Sequence, residues 1–320
     1  MCGIAGIIDF DGKAGLTAGL TSMHSAISYR GPDESGIYQS DNAVLGHVRL
    51  SILDPETGQQ PLSESGKRYS IVLNGEIFNY RELRADLEKK GFIFKTGSDT
   101  EVLLQLYIHY GHECLGMLNG QFAFAVWDKH KEELFLARDR MGVRPLFYNI
   151  TDGIFSFASE IKALFELPFI SRELRPESLS QVYTFWTTLT PYTAFRNIFE
   201  LSPGHYLYFS QKGVKTGKFW NPDFSNVNHR LKLADALERF NELFRDAVRL
   251  RLHADVKIAA YLSGGIDSSA TVAYIRELEN QSLDTFSIGF EEEDFDESNY
   301  QNEAVQYFGT QHKSIICSSE

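Results

Sequence analysis

The first third of the chain alternates between short apolar runs and helix-like repeats of apolar residues. An Ile-rich run over residues 3–10 ends at the turn dipeptide Asp11-Gly12, which predicts a buried strand directly after Cys2. Residues 16–27 repeat leucine, methionine and isoleucine at helical spacing, which predicts an amphipathic helix. This helix should end before Gly31-Pro32, because glycine and proline both terminate helices.

Beyond this helix, apolar runs and turn residues predict two groups of strands with helices between them. Asn74–Asn79 is rich in Gly and Asn and predicts a loop at the end of a strand. The order favours a two-layer sheet sandwich covered by helices. Strands are expected at residues 36–39, 43–53, 69–73 and 92–95, helices at 80–90 and after the capping box Ser98-Asp99-Thr100-Glu101, and hairpins over 121–138 and 146–158.

The pattern changes in the last third of the chain. Residues 171–224 have scattered prolines and no regular repeat, so they predict the end of a first domain and a connector. The later alternation of strand and helix is typical of a parallel α/β sheet. Helices are expected at residues 232–252, 270–278 and 299–308, and strands at 257–262, 283–290 and 312–316. The predicted boundaries are residues 1–210 for the first domain, 211–230 for the connector and 231–320 for the second domain.

Composition narrows the classes of protein that fit this pattern. The 320 residues are 43% hydrophobic, enough for about two folded domains. The formal net charge of −12 argues against a nucleic-acid partner, which needs a basic face. No segment approaches the roughly 20 apolar residues of a membrane helix, so no membrane partner is expected. The three cysteines, Cys2, Cys114 and Cys317, have neither a disulfide-framework nor a zinc-binding spacing, which favours the cytoplasm.

Cys2 is the first candidate for chemistry. If Met1 is removed, one residue carries a thiol nucleophile and a free α-amino group, whose ordinary pKa of about 7.7–8.0 suits a general base near neutral pH. The nucleophile and its general base would then belong to the same residue. On the dipeptide alone, the alternative is a small residue at a frayed terminus.

The second candidate is the loop Ser263–Ser269, between a predicted buried strand and a helix. Two glycines let the backbone approach an anion, three serine hydroxyls add donors, and the helix N-terminus supplies unpaired N–H groups. The pattern indicates phosphate or pyrophosphate binding. It matches neither a Walker A loop nor a dinucleotide-binding fingerprint. A polar helix start, with Ser263 or Asp267 as the cap, is the simpler alternative.

Taken together, the motifs resemble those of the glutamine-hydrolysing asparagine synthetases. This family joins an N-terminal-nucleophile amidotransferase to an ATP-pyrophosphatase domain, and the resemblance covers essentially the whole chain. It implies a four-layer αββα sandwich followed by an incomplete parallel α/β domain. The matching motifs are Cys2-Gly3-Ile4, Arg30-Gly31-Pro32-Asp33, His47-Val48-Arg49-Leu50-Ser51-Ile52, Asn74-Gly75-Glu76-Ile77-Phe78-Asn79, Thr96-Gly97-Ser98-Asp99, Arg138-Asp139, Gly142, Pro145-Leu146, Ala158-Ser159-Glu160 and Ser263–Ser269.

The resemblance implies a role for each matching residue of a glutamine site. Cys2 would attack the glutamine side-chain amide, releasing ammonia and leaving a thioester for water to cleave. Asn74 and Gly75 would be the oxyanion donors. Arg49 would bind the glutamine α-carboxylate, and Glu76 and Asp99 its α-ammonium group. Backbone groups near Leu50, Ile52 and Leu53 would line the site. Local alternatives are a surface ion pair for Arg49, a turn for Asn74 and a helix cap for Asp99, which is compatible with its role in the site.

The resemblance also implies an ATP site in the second domain. Backbone groups of Leu262 and Ile288 would frame adenine, and Ser263, Gly264, Gly265, Asp267, Ser268 and Ser269 would hold the pyrophosphate. Aspartate would be activated as an adenylate, and the ammonia would travel internally to attack it. Mg²⁺ would be required to neutralise the leaving pyrophosphate. No protein metal ligands are expected, and a homodimer is a possible assembly.

The chain departs from the family pattern after the phosphate loop. Only a few predicted elements follow it, and the family's second loop, with a Ser-Gly-Glu-Gly stretch, is missing. We therefore expect the glutaminase half to be complete and the synthetase half to be cut. Two alternatives stay open: an acceptor other than aspartate, such as a carboxylate on a sugar or antibiotic precursor, and a non-catalytic regulatory module.

Overall fold

A computed structural model describes residues 1–12, 15–279, 281–292 and 294–318 of the protein. It contains two compact units, Met1–Asp223 and Phe224–Glu320. Strands and helices of the first unit are β1 (Gly3–Ile8), α1 (Leu16–Ile27), β2 (Glu34–Gln39), β3 (Ala43–Arg49), β4 (Leu62–Ser63), β5 (Tyr69–Ile77), α2 (Tyr80–Lys89), α3 (Asp99–Tyr110), β6 (Gly120–Asp128), β7 (Glu133–Arg138), β8 (Phe147–Thr151), β9 (Ile154–Ala158), α4 (Ile161–Leu164), α5 (Pro176–Phe185), β10 (Ile198–Glu200), β11 (His205–Ser210) and β12 (Gly213–Lys218). Short 3₁₀ helices cover Ser28–Arg30 and Gly111–Met117.

Two antiparallel six-stranded sheets form the centre of the first unit. Their strand orders are β10-β8-β9-β1-β3-β2 and β12-β11-β7-β6-β5-β4. One apolar cluster lies between the two sheets, a second packs α1 and α4 on the first sheet, and a third packs α2 and α3 on the second sheet. This is the four-layer αββα arrangement expected from the resemblance.

Strand β1 is buried on both faces because helices cover one face of its sheet and the second sheet covers the other. Ile4 and Ile8 belong to the cluster between the sheets, whereas Ala5 and Ile7 face the helical layer. Its apolar sequence therefore fits a central strand. Cys2 immediately precedes β1, which fixes the position of its backbone relative to the sandwich.

The second unit contains a small parallel sheet with helices. Its elements are α6 (Leu233–Arg251), β13 (Ala259–Tyr261), α7 (Ile266–Leu278), β14 (Asp284–Phe290), α8 (Ser298–Phe308) and β15 (Gln311–Cys317). β14 lies between β13 and β15 and is parallel to both. Val248, Leu262, Val272, Ile275 and Leu283 form its buried core. The structure thus confirms the predicted parallel α/β arrangement.

Two local predictions in the first unit were wrong. Asn74–Ile77 is not a loop but the end of β5, where Asn74 pairs with Ala123 of β6. Backbone hydrogen bonds to β6 stabilise the strand at these residues and do not depend on the polarity of their side chains. Residues 92–95 form no strand. The Glu101 carboxylate instead accepts the backbone N–H of Lys95 at 3.0 Å and of Thr96 at 2.7 Å.

Two further segments also differ from expectation. Residues 171–224 are more regular than predicted, since they contain α5 and β10 to β12. β12 lies in the predicted connector but pairs with β11, and the structure places the boundary between its units after Asp223. Helix α7 begins at Ile266 rather than at residue 270, so Asp267, Ser268 and Ser269 belong to its first turn. Among the described residues, no helix is both long and apolar enough to span a bilayer.

Candidate active site

The start of β1, the end of β5 and the start of α3 meet around one pocket in the first unit. All the residues that the sequence analysis assigned to glutamine line it: Cys2, Arg49, Leu50, Ile52, Leu53, Asn74, Gly75, Glu76 and Asp99. Further lining residues, which the sequence analysis did not assign to the glutamine site, are Met1, Gly58, Gln60, Ser98, Thr100 and Arg144. The pocket is open to solvent, and the space in and over it is about 520 Å³. The predicted residues are therefore brought together, although the role of each stays a prediction.

Cys2 is half-buried, and neighbouring groups form hydrogen bonds with both its thiol and its backbone. Its Sγ lies 3.4 Å from the backbone N of Leu50, which can donate to it. Burial raises the pKa of the thiol, and the Leu50 hydrogen bond opposes this effect. Nε of Arg30 donates to the Cys2 carbonyl at 2.9 Å, and the Arg30 guanidinium is paired with Glu160 at 2.7 Å. Arg30 thus fixes the backbone of Cys2.

The α-amino group at this terminus belongs to Met1 in the unprocessed chain. Burial is the largest cause that lowers its pKa from the ordinary value, with contributions from Arg30 and Arg144. Met1 itself lines the pocket. Burial of the Met1 amine beside these cations therefore favours its neutral form in the unprocessed chain.

Arg49 leaves the end of β3 and organises the loop that follows it. Its Nη1 donates to Glu34 at 2.8 Å. Its Nη2 donates to the carbonyl oxygens of Leu53 at 2.9 Å and Asp54 at 2.7 Å. Gly58 packs close to this group, because a Cβ there would lie 2.6 Å from Arg49 Nη2. Arg49 does form an ion pair, with the partly exposed Glu34, but its own guanidinium is buried against the pocket rather than lying at the surface.

Asn74 and Gly75 present polar groups at the end of β5. Gly75 has φ +150°, and a Cβ there would lie 2.1 Å from the Gln121 carbonyl oxygen, so only glycine fits. Nδ2 of the buried Asn74 side chain lies 3.4 Å from Ser159 Oγ. Its Oδ1 has no hydrogen-bond partner within the part of the chain that the structure describes. Rotation of the amide by 180° would let Ser159 donate to Oδ1 and leave Nδ2 as the free donor.

Asp99 is the first residue of α3, and its carboxylate is buried. Oδ2 accepts the backbone N–H of Ile77 at 2.9 Å, and Thr100 Oγ1 donates to Oδ1 at 3.4 Å. Burial raises the pKa of Asp99 to about 6, and these hydrogen bonds oppose the effect. The helix is capped by Ser98, whose Oγ accepts the N–H of Glu101. The Asp99 carboxylate thus lines the pocket while both of its oxygens accept hydrogen bonds.

The predicted phosphate loop joins β13 to α7 in the second unit. Ser263 Oγ lies 3.0 Å from Ser268 Oγ, and Ser268 Oγ donates to the Gly265 carbonyl at 3.1 Å. Gly264 has φ +83°, and a Cβ there would lie 2.6 Å from the carbonyl carbon of Tyr300. The tight turn places the loop at the N-terminus of a 13-residue helix, whose first N–H groups suit an anion.

Leu262 and Ile288 lie at the carboxyl end of the parallel sheet, as the ATP prediction requires. Leu262 follows β13, and its N–H donates to the Phe286 carbonyl at 2.9 Å. Ile288 lies in β14, two residues beyond Phe286, which pairs with the last residue of β13. Its carbonyl accepts a hydrogen bond from Gln301 Nε2 at 3.0 Å. In open α/β sheets, ligands bind at this edge. The backbone placement fits a nucleotide.

The described residues include no group of three or more His, Cys, Asp or Glu side chains placed to hold a metal ion. Asp267 supplies one carboxylate in the first turn of α7. Mg²⁺ in nucleotide sites is commonly held by one or two carboxylates together with the substrate phosphates. The donor set at this loop therefore fits a magnesium ion that arrives with ATP.

Comparison with known proteins identifies the first unit. Residues 1–220 match the sequence model of a glutamine amidotransferase domain. The chain belongs to the glutamine amidotransferase family. Residues 239–320 match the model described as asparagine synthase. The resemblance drawn from the sequence motifs is thereby confirmed.

Curated relatives extend the likeness over both units. Asparagine synthetase [glutamine-hydrolyzing] 3 of Bacillus subtilis is 38% identical over 100% of this chain and 55% of its own length. A putative asparagine synthetase [glutamine-hydrolyzing] 2 of Methanocaldococcus jannaschii is 37% identical over 98% of this chain and 64% of its own length. The chain thus spans little more than half of the length of these relatives.

A solved structure supports the fold of the amidotransferase. The glutamine phosphoribosylpyrophosphate amidotransferase from B. subtilis, complexed with ADP and GMP, has a TM-score of 0.54 and 18% identity to this chain. The match covers 98% of this chain and 65% of the other. At this identity the likeness concerns the fold alone.

Proposed function

We propose that the first unit hydrolyses glutamine at Cys2. One observation carries the proposal: a single pocket contains a thiol, candidate oxyanion donors and groups of both charges suited to an α-amino acid. Once Met1 is removed, the thiol transfers its proton to its own α-amino group, and the sulfur attacks the side-chain carbonyl carbon of glutamine. The raised pKa of the Cys2 thiol supports the need for such a base.

The reaction then proceeds through two acyl-transfer steps. The tetrahedral adduct expels ammonia, which takes the proton held by the α-ammonium group, and a γ-glutamyl thioester remains on Cys2. Water attacks this thioester, and glutamate leaves as the thiol is restored. The Asn74 amide and the Gly75 N–H stabilise the oxyanion in both steps. A donor of this kind contributes about 10²–10³-fold to the rate.

Charged groups that line the same pocket bind the amino-acid end of the substrate. Arg49 binds the α-carboxylate, either together with or in place of its hydrogen bonds to the carbonyl oxygens of Leu53 and Asp54. Asp99 and Glu76 bind the α-ammonium group. The substrate is thus held by its two charges while the amide reaches Cys2, which favours attack by proximity.

We further propose that the second unit contributes to an ATP-dependent ligase that makes asparagine. Ser263, Gly264, Gly265, Asp267, Ser268 and Ser269 would hold the phosphates of ATP, with backbone groups of Leu262 and Ile288 beside adenine. Bound Mg²⁺ would neutralise phosphate charge. Aspartate is the proposed acceptor of the ammonia, and a homodimer is the proposed assembly. The match of residues 239–320 to the asparagine synthase model supports this part.

The glutaminase proposal is tested with the chain after Met1 removal, verified by mass spectrometry. Glutamate and ammonia release should be glutamine-dependent and should disappear in Cys2→Ala. A processed but inert wild-type chain would contradict the proposal and favour a non-catalytic module. For the synthetase proposal, asparagine formation from aspartate, glutamine and ATP is measured on the protein as encoded by its gene. Amide transfer to a different carboxylate would identify another acceptor.

A further inference from the structure

Leu73, the residue before Asn74, has both of its backbone polar groups bound by side chains. β4 pairs with β5 only as far as Leu62 opposite Ile71, so Leu73 lies beyond the end of that ladder. Gln60 Oε1 accepts the Leu73 N–H at 2.6 Å, and His47 Nε2 donates to the Leu73 carbonyl at 3.0 Å. A buried backbone needs such partners. Side chains therefore replace a neighbouring strand immediately before the oxyanion residues.

The Gln60 amide has a second contact on the other side of the pocket. Because the Leu73 N–H can only donate, Oε1 must face it, and Nε2 faces Thr100. Nε2 donates to Thr100 Oγ1 at 3.1 Å, and Thr100 Oγ1 donates to Asp99 Oδ1 at 3.4 Å. Gln60 itself lines the pocket. Besides the direct bond from the Ile77 N–H to Asp99, Gln60 thus adds a second connection, through Thr100, between the strand that carries Asn74 and Gly75 and the carboxylate expected to bind the substrate ammonium.

We propose that Gln60 is a positioning residue that sets the distance between the oxyanion donors and the ammonium-binding carboxylate. The inference rests on the proposed glutaminase function. Glutamine must reach Cys2 while its ammonium group is held at Asp99, so an error in the separation of these groups weakens both binding and attack. Gln60 acts on both groups indirectly, through its hydrogen bonds to the Leu73 N–H and the Thr100 hydroxyl.

The test compares matched variants of the processed chain. Gln60→Ala removes both bonds, so we expect KM for glutamine to rise and kcat to fall, each by about tenfold. Thr100→Val interrupts only the contact toward Asp99, so KM should rise while kcat is retained. Gln59→Ala is the control and should leave both constants unchanged, because Gln59 is exposed and its side chain, among the described residues, donates to the Glu56 carbonyl in the same loop.

Two further measurements separate positioning from general damage. Alkylation of Cys2 by iodoacetamide, which lacks the α-amino and carboxylate groups, should proceed at the wild-type rate in Gln60→Ala. The Kd of glutamine, measured by calorimetry in the Cys2→Ala background, should rise about tenfold when Gln60→Ala is added. A lower thermal midpoint with unchanged Kd, KM and kcat would show a purely structural role and overturn the proposal.

The same measurements distinguish this inference from the proposed function. If wild type hydrolyses glutamine and Gln60→Ala matches it, only the positioning role fails. If the Cys2→Ala chain binds glutamine but processed wild type does not hydrolyse it, the glutaminase function fails, and the calorimetric comparison still decides the role of Gln60 in binding. If neither chain binds glutamine, both proposals are wrong.

Discussion

At the scale of single residues, the buried carboxylate of Asp99 should couple glutamine binding to pH. Its pKa of about 6 lies above the ordinary value of 3.8, so the group becomes protonated as the pH falls through 6. The neutral acid no longer attracts the α-ammonium group. We expect kcat/KM for glutamine to fall on the acid side with an apparent pKa near 6. Initial rates across this range, with stability monitored in parallel, test this.

Asp99→Asn is the matched variant for this prediction. The folded protein holds the Asp99 proton more tightly than the unfolded chain between about pH 4 and 6, so the stability contributed by this group is lost as the pH rises through 6. The amide still accepts the Ile77 N–H through its oxygen but carries no charge. The variant should be more stable than wild type at pH 7 and bind glutamine poorly. Wild-type affinity in this variant would exclude Asp99 as the ammonium ligand.

Gly75 gives a second prediction at this scale. Alanine would need both the positive φ and space occupied by the Gln121 carbonyl oxygen. We expect Gly75→Ala to cost about 1–3 kcal/mol of folding free energy through backbone strain. Displacement of the oxyanion donors should lower kcat about 100-fold.

Gly116→Ala is the control for the Gly75 variant, because a Cβ at Gly116 meets no atom within 4 Å. Chemical denaturation and steady-state rates measure the two effects separately. A Gly75→Ala chain with wild-type kcat would argue against the role of this backbone position in the oxyanion site.

At the scale of elements, the N-terminus of α3 joins helix stability to the site. Ser98 Oγ accepts the Glu101 N–H, and the next residue is the pocket carboxylate Asp99. Ser98→Ala should cost about 1 kcal/mol and lower the thermal midpoint by about 2–4 °C. KM for glutamine should rise because the first turn of α3 loosens. Ser98→Thr, which keeps a capping hydroxyl without adding charge beside the buried Asp99 and Glu101, should restore the midpoint; equal losses in both variants would show that capping is not the cause.

The same helix start shows what the sequence could predict about the elements. The Ser98–Glu101 pattern identified the cap correctly, but the Glu101 carboxylate binds the backbone of Lys95 and Thr96. These bonds hold residues 95 and 96 against the start of the helix, and no strand forms at residues 92–95. The hairpins were predictable because polar turns separate apolar runs. β12 could not be predicted, because it is an exposed edge strand whose sequence shows no alternation of apolar and polar residues.

How much of the site could be predicted from the sequence depended on how far apart in the chain its contacting residues are. Cys2 and the phosphate loop could be recognised from the chemistry of their own residues. The remaining site residues were predicted from motifs that resemble those of the glutamine-hydrolysing asparagine synthetases. Gln60, Thr100 and Arg144 were missed because their significance lies in neighbours that are distant in sequence. Gln60 and Thr100, for example, meet across 40 positions. No local pattern encodes such a pair.

At the scale of the whole molecule, each unit has its own buried core. The three apolar clusters around the two large sheets lie entirely within Met1–Asp223, and the fourth lies entirely within Phe224–Glu320. All residues that line the candidate glutamine pocket also belong to the first unit. A unit with its own core and a full set of site residues should fold and act independently.

We therefore expect a fragment of residues 1–223 to unfold cooperatively and to hydrolyse glutamine after Met1 removal, with the KM of the whole chain. The same fragment with Cys2→Ala is the control and should unfold similarly without activity. Calorimetry of the whole chain should contain a transition that coincides with that of the fragment. A fragment that folds yet leaves glutamine unchanged, while the whole chain hydrolyses it, would show that the second unit supplies something that the pocket lacks. A fragment that does not fold would show instead that the two cores depend on each other for stability.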